Sequence, residues 1–335
     1  MSDRRLLYIS TANGLLRGDL NGSLDHIVPM GIGNLGRVGP VVVDHRNPRR
    51  LYVGTGRGGV LCSEDGGERW RPLNNGLYYQ EVSSLAQHPV TGELYAGTRP
   101  AAIFRSSDYG ASWGNLEGML ALEESIDWTW PHPPHYPHVK DIGLSRTEPK
   151  IILGAIEEGW LVRSTDGGKN WDNLKSGTEF DSHTVKVMPD NPKVLISTSG
   201  QGAYRSEDGG DHFVPANDGM RSRYLAHLAF HPAEPNLLFT AGAEVPPPEW
   251  RRPEGCRSQI YRSDNQGRSW HALTGGLPAD MPAAPRTVAG DVERPGWVLV
   301  GMQDGALWMS RDHGDSFRKV ASGMPPIFGL TAVPS

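Results

Sequence analysis

The stretch Val82-Ser83-Ser84-Leu85-Ala86-Gln87-His88 mixes apolar and polar side chains over seven residues and stops at Pro89, as a short strand does. Thr91-Gly92 reads as a turn into a second strand, Glu93-Leu94-Tyr95-Ala96-Gly97-Thr98. Ala102-Ile103-Phe104-Arg105 supplies a third strand, and a fourth begins near Trp113 after a tight polar turn. Four short strands with short connections predict an antiparallel meander, the unit of a propeller blade.

First strands of this kind recur at 38–44, 82–88, 139–145, 183–188, 225–231, 286–291 and 327–333, which predicts an all-β, seven-bladed propeller. The last of them ends the chain. Residues 6–11 and 15–22 read as a second and third strand with no first strand before them. The expectation is that 327–333 pairs with 6–11. Blade 7 is then shared between 1–25 and 325–335, the ring closes without an incomplete edge, and 1–335 is a single domain.

The turn into each fourth strand repeats the pattern Ser-x-Asp-x-Gly-x-x-aromatic. It stands at 63–70, 106–113, 164–171, 206–213, 263–270 and 310–317. The Asp carboxylate can accept from backbone N–H groups of its own turn, and the Gly tolerates positive φ. Asn265 replaces the Asp in one copy and keeps the acceptor oxygen without the charge. That exchange suits a turn and not a metal ligand.

This pattern resembles the Asp-box, or BNR repeat, of sialidases, sortilin-type ten-bladed propellers, xyloglucan-active glycoside hydrolases and photosystem II assembly factors. The six copies span roughly 37–323. The resemblance implies a propeller and leaves the activity open, because these families differ in function. Sialidases have six blades, an arginine triad and an Arg-Ile-Pro motif near the start. Here the pattern gives seven blades and the motif is absent, so sialidase chemistry is not expected.

The 335 residues include 42 Gly and 27 Pro, in keeping with many short strands and turns. A net charge of −5 argues against nucleic acid or an anionic membrane as partner. No apolar run is long enough to span a membrane, and the N-terminus has no signal-peptide pattern. Cys62 and Cys256 fall in different repeats, which excludes a disulfide framework; the expected location is cytoplasmic.

Two spacings break the rhythm, leaving insertions at about 114–138 and 243–257. Connections of these two kinds open on one propeller face, opposite the Asp-box turns. Both are therefore expected at the mouth of the central channel, where long loops carry function. The first insertion holds His132, His135 and His138 among prolines. An extended run of about 3.1 Å per residue keeps the three from sharing one ion, whose Zn–N bonds are about 2.1 Å. His135 and His138 together with His183 or His227 remain a candidate site for a divalent metal ion. The alternative is a stiff aromatic and imidazole lid.

The expected function is binding of a small polar molecule, with hydrolase or lyase chemistry on a polar substrate, a glycoside being one candidate. His183, with Glu157 or Glu244, would handle the proton, and Lys140 and Arg286 would neutralise negative charge. Asp127, Glu158 and Asp181 are further carboxylates from which a glycosidase pair can be drawn. Trp128, Trp130, Tyr136 and Trp250 are candidates for stacking on substrate, and Arg57, Arg99 and Gln303 for polar contacts. The alternative is a non-enzymatic platform that holds a protein partner, as the photosystem assembly factors do.

Overall fold

The computed structural model describes residues 5–21, 23–231, 233–291 and 293–334. The end of the predicted strand 15–22 at Gly22, and the outermost residues of the shared blade, Met1–Arg4 and Ser335, lie outside the described residues.

Among the described residues the strands form seven four-stranded antiparallel sheets, the seven-bladed β-propeller arrangement. Blades 2 and 3 run Glu81–Gln87, Leu94–Arg99, Ile103–Ser106, Gly114–Asn115 and His138–Leu144, Ile152–Glu157, Leu161–Ser164, Asp172–Leu174. Blades 5 and 6 begin with Tyr224–His231 and Pro285–Asp291. Blade 7 joins the two ends of the chain. Strand Ile327–Pro334 pairs with Arg5–Thr11, with Leu6 opposite Val333 and Ile9 opposite Leu330. The alternation of apolar residues sets this register: Leu7, Ile9, Ile327, Leu330 and Ala332 all enter one buried cluster.

The chain packs as two compact units. One comprises Met1–Val41, Gly200–Ala203 and Ala216–Ser335, and the other Val42–Ser199 and Tyr204–Pro215.

Two elements differ from the sequence expectation. The first strand of blade 1 is only Val42–Val43, not 38–44. Pro40 has no N–H for a ladder, and blade 7 claims the segment instead. Ser10 Oγ donates to the Gly39 carbonyl at 2.5 Å, and Thr331 Oγ1 to the Val41 carbonyl at 2.8 Å. Blade 7 also has a fourth strand, Leu24–Pro29, which passes beyond the expected bound at residue 25. Its residues after Leu24 are exposed and no Asp-box precedes it, so neither signal marks it.

The Asp-boxes are structural turns. In each, the Ser Oγ bridges the loop: Ser263 Oγ accepts from Gly267 N at 2.8 Å and donates to Asn265 Oδ1 at 2.9 Å. Asn265 Oδ1 accepts from Ser269 N at 3.0 Å, as Asp108 Oδ1 does from Ser112 N at 2.9 Å. Hydrogen bonds from Asn170 hold the Asp166 carboxyl down at about 2. Cys62 and Cys256 are buried and free. Among the described residues no helix is long and apolar enough to cross a membrane.

Candidate functional site

A group of interacting titratable side chains lies in the second unit, where the first insertion meets blade 3 and the strand Ser182–Met188 that opens blade 4. Strand Ile152–Glu157 ends in the turn Glu158-Gly159-Trp160. Glu158 and Trp160 are both left-handed, with φ of 58° and 62°. Two such non-glycine residues in one turn imply backbone strain that the surroundings must hold.

They hold it from two sides. The Phe180 carbonyl accepts from the N–H groups of Gly159 and Trp160, at 2.9 and 3.1 Å. From the insertion, Thr129 N–H donates to the Glu158 carbonyl at 3.0 Å. Beneath it, Trp128 is buried against blade 3 with Met119 and Ile156. Gly159 is required by this contact. A Cβ there would lie 2.4 Å from Ile156 Cγ2 and 2.8 Å from Trp128 Cγ. Trp128 therefore anchors the insertion, and its ring is not presented to a ligand.

Glu157 is buried and tied to two partners: Lys140 Nζ at 2.6 Å and His138 Nε2 at 2.9 Å. Burial opposes its ionisation, but Lys140 first and then His138 hold its carboxyl well below the usual range. His138 is buried as well, and burial pushes its imidazole down despite Glu157. Arg99 Nη2 donates to His138 Nδ1 at 3.1 Å, so the neutral ring carries its proton on Nε2 and gives it to Glu157. Both ring nitrogens are thus committed. Trp130 packs edge-on against His138, with centroids 4.9 Å apart, and the Arg99 guanidinium lies 4.9 Å over the Trp130 ring.

Glu158, one residue on, has the opposite electrostatics. Burial first, then the negative charges of Asp181 and Glu157, raise its carboxyl above the usual range. Asp181 Oδ1 is 3.2 Å from His183 Nε2, and His183 is buried. One ligand atom each of Glu157, Asp181 and His183 lies within 4.8 Å of the others.

These positions revise the metal expectation. His138 has no lone pair free for an ion, and the charge on Glu157 is already met by Lys140. His135 is exposed, with Nδ1 2.8 Å from the Trp130 carbonyl. His227, in the first unit, has Nδ1 3.4 Å from Thr287 Oγ1. Tyr136 is 50 % exposed and Arg57 is exposed in a turn of blade 1.

The remaining sequence candidates lie in the first unit. Glu244 is held by Arg257 Nε at 3.1 Å and by Arg221 Nε at 3.9 Å, a paired carboxylate rather than a proton carrier. Gln303 N–H donates to the Ala284 carbonyl at 2.8 Å. Arg286 stacks between aromatic rings, 5.3 Å from the Trp250 centroid and 4.9 Å from that of Phe328.

Sequence reasoning named Glu158 and Asp181 among several acids and did not distinguish them. A signal was available: Glu158 stands beside a Gly-aromatic pair in a turn facing the first insertion.

Fold and repeat together define the class: the chain is a seven-bladed β-propeller with Asp-box turns, and it is similar to proteins of the Asp-box (BNR-repeat) type. The family profile described as "Sortilin, neurotensin receptor 3" (Sortilin-Vps10) matches residues 159–279. A xyloglucanase of Paenibacillus sp is 31% identical over 299 residues, covering 85% of this chain and 27% of that protein. A photosystem II assembly lipoprotein of Synechococcus sp. (strain CC9902) is 21% identical over 280 residues, covering 83% of this chain and 74% of that protein. The crystal structure of a GH74 xyloglucanase from Xanthomonas campestris superposes with a TM-score of 0.64 at 16% identity. It covers 84% of this chain and 45% of that one. The chain thus spans about a quarter of the Paenibacillus relative's length.

Proposed function

We propose that the chain is a glycoside hydrolase whose acid–base pair is Glu158 and Asp181. The observation that carries this reading is the divergence of neighbouring carboxyl groups: Glu157 is held ionised, while half-buried Glu158 is pushed up beside Asp181. A carboxylic acid that keeps its proton next to one that does not is the arrangement glycosidic cleavage requires. Glu158 donates its proton to the departing glycosidic oxygen. Asp181, 3.2 Å from His183, is the second carboxylate and acts at the anomeric carbon or on the attacking water. Glu157 is a positioning residue, with Lys140, His138 and Arg99 as its frame.

The substrate class we propose is a neutral glycan. Xyloglucan is the first polymer to test, given the activity for which the Paenibacillus relative is named. Reducing-end release from xyloglucan oligosaccharides between pH 5 and 8 tests the reading. Wild-type protein releases sugar, and Glu158→Gln lowers turnover by about 10²-fold or more. Absence of release by well-folded wild-type protein across a panel of neutral β-glucans refutes it.

A second reading rests on length. The chain covers 74% of the photosystem assembly lipoprotein, so a protein-holding role fits its extent. In that case Ile126, 86 % exposed on the first insertion, is a contact residue, and Ile126→Ser weakens partner binding.

A further inference from the structure

We infer that the second unit carries a further binding site for neutral saccharides, a cleft where blade 2 meets the Asp-box of blade 3. Two lobes of about 250 and 540 Å³ adjoin there, and Arg105, Asn115 and Leu116 line both. They make one elongated cleft across the outer strand Gly114–Asn115. The larger lobe alone falls within the roughly 300–1,000 Å³ of small-molecule sites. Lys150, on its lining, precedes strand Ile152–Glu157, and Glu158 follows that strand. A strand rises about 3.3 Å per residue, which puts roughly 20 Å between the cleft and Glu158. The two sites are separate, and this inference does not rest on the acid–base assignment.

The walls are fixed. Gly167 N–H donates to the Lys150 carbonyl at 3.0 Å, and Leu116 N–H to the Ile103 carbonyl at 2.9 Å. Arg105 Nη1 donates to the Gly167 carbonyl at 3.4 Å, which ties the two blades together. Two glycines allow the close approach. A Cβ on Gly118 would lie 2.3 Å from the Lys169 carbonyl oxygen, and one on Gly168 would lie 2.7 Å from Leu116 Cδ1. At the rim, Tyr78 is 59 % exposed, and its hydroxyl accepts from Asn115 Nδ2 at 2.7 Å. Tyr79 and Phe104 hold its ring edge-on, each with its centroid 4.8 Å away.

The lining names the ligand class. Its cations are Arg105, Lys150 and Lys169, and its carboxylates are Glu93, Glu117 and Asp166. Their formal charges cancel, so the cleft as a whole draws neither an anion nor a cation. The cations can only donate hydrogen bonds and the carboxylates can only accept them, whereas a hydroxyl does both. A ligand rich in hydroxyls is therefore served by every charged group of the lining. Lys150, Lys169 and Glu117 are exposed, within reach of such a ligand from solvent. Leu116 and Pro149 add apolar surface for the C–H face of a sugar ring, and the fixed ring of Tyr78 offers a stacking platform at the rim. The elongated shape fits a short chain of sugars.

Amide NMR of the full chain, titrated with cellotetraose, xylotetraose and mannotetraose and with tetragalacturonate as an anionic counterpart, tests this. At least one neutral sugar should shift the Gly118, Gly167 and Gly168 signals saturably, and should bind more tightly than tetragalacturonate. Tyr78→Ala, Lys169→Ala and Glu117→Ala should each weaken that binding about fivefold. Should Tyr78→Ala disturb the packing of Phe104, exposed Lys169 and Glu117 decide alone. Tyr136→Ala, an aromatic 50 % exposed on the first insertion, should leave the affinity unchanged. Glu158→Gln should bind at these three signals as wild type does, so a failure of the acid–base reading leaves the cleft standing. No saturable shift with any neutral sugar, equal or tighter binding of tetragalacturonate, or wild-type affinity in the Lys169 and Glu117 variants overturns the site.

Discussion

Thr129 N–H donates to the Glu158 carbonyl at 3.0 Å, which fastens the first insertion to the turn that bears the proposed acid. The contact makes that loop part of the site's architecture. It also explains how a left-handed glutamate is kept in place, since the same turn is held from the other side by Phe180.

Trp128 is the anchor of that loop, buried at 6 % exposure among Met119, Ile156 and Val139. Trp128→Ala should cost about 3–5 kcal/mol in chemical denaturation. Because the loop also contributes to the burial of Glu158, the same variant should move the Glu158 carboxyl back toward the ordinary range.

Lys140 neutralises a carboxylate that is almost wholly buried. Lys140→Met leaves Glu157 charged and without its ammonium, and should destabilise the protein by about 3–5 kcal/mol. Adding Glu157→Gln in the same chain should recover part of the loss. Urea melts of the two variants measure both effects. Equal stability of Lys140→Met and wild type would remove the ion pair from the account.

Acidification should weaken the fold in two stages. His138 and His88 have imidazoles pushed down, mainly by burial. Their unfolded forms take up protons near pH 6.5 while the folded forms do not, so stability falls as pH drops through that region. Glu157 has a folded value below its unfolded 4.5. Its contribution is whole above that value and is lost as pH falls below it toward the folded value. Melting temperature against pH should show both declines, and His88→Gln should reduce only the upper one.

The Asp-box turns separate charge from geometry. Ser263→Ala leaves the Gly267 N–H without its acceptor in a buried setting and should cost about 1–3 kcal/mol. Asn265→Asp keeps the acceptor oxygen and should leave the melting midpoint nearly unchanged. A large loss from Asn265→Asp would mean that the turn depends on more than an oxygen at that position.

The fold was legible because short first strands recur along the chain and six copies of a Ser-x-Asp-x-Gly turn, one with Asn265 for the Asp, recur with them. The pairing of 327–333 with 6–11 was legible from the blade that lacks its first strand; the register that sets Leu6 opposite Val333 is seen only in the structure. The site was less legible. His138 reads as a free ligand in sequence, yet Arg99, from another blade, takes its Nδ1. Glu157 and Glu158 are adjacent and chemically alike, and only the fold puts Lys140 against one and Asp181 near the other. Trp128 and Trp130 differ in role because a glycine three residues beyond Ile156 leaves room for the first of them.

The central claim is that burial and the charge of Asp181 raise the Glu158 carboxyl above the ordinary glutamate value. Carboxyl-carbon NMR of Glu158, titrated in wild type and in Asp181→Asn, measures this directly. The account predicts a midpoint above the ordinary glutamate value in wild type that falls when the Asp181 charge is removed. A midpoint in the ordinary range in both proteins would contradict it.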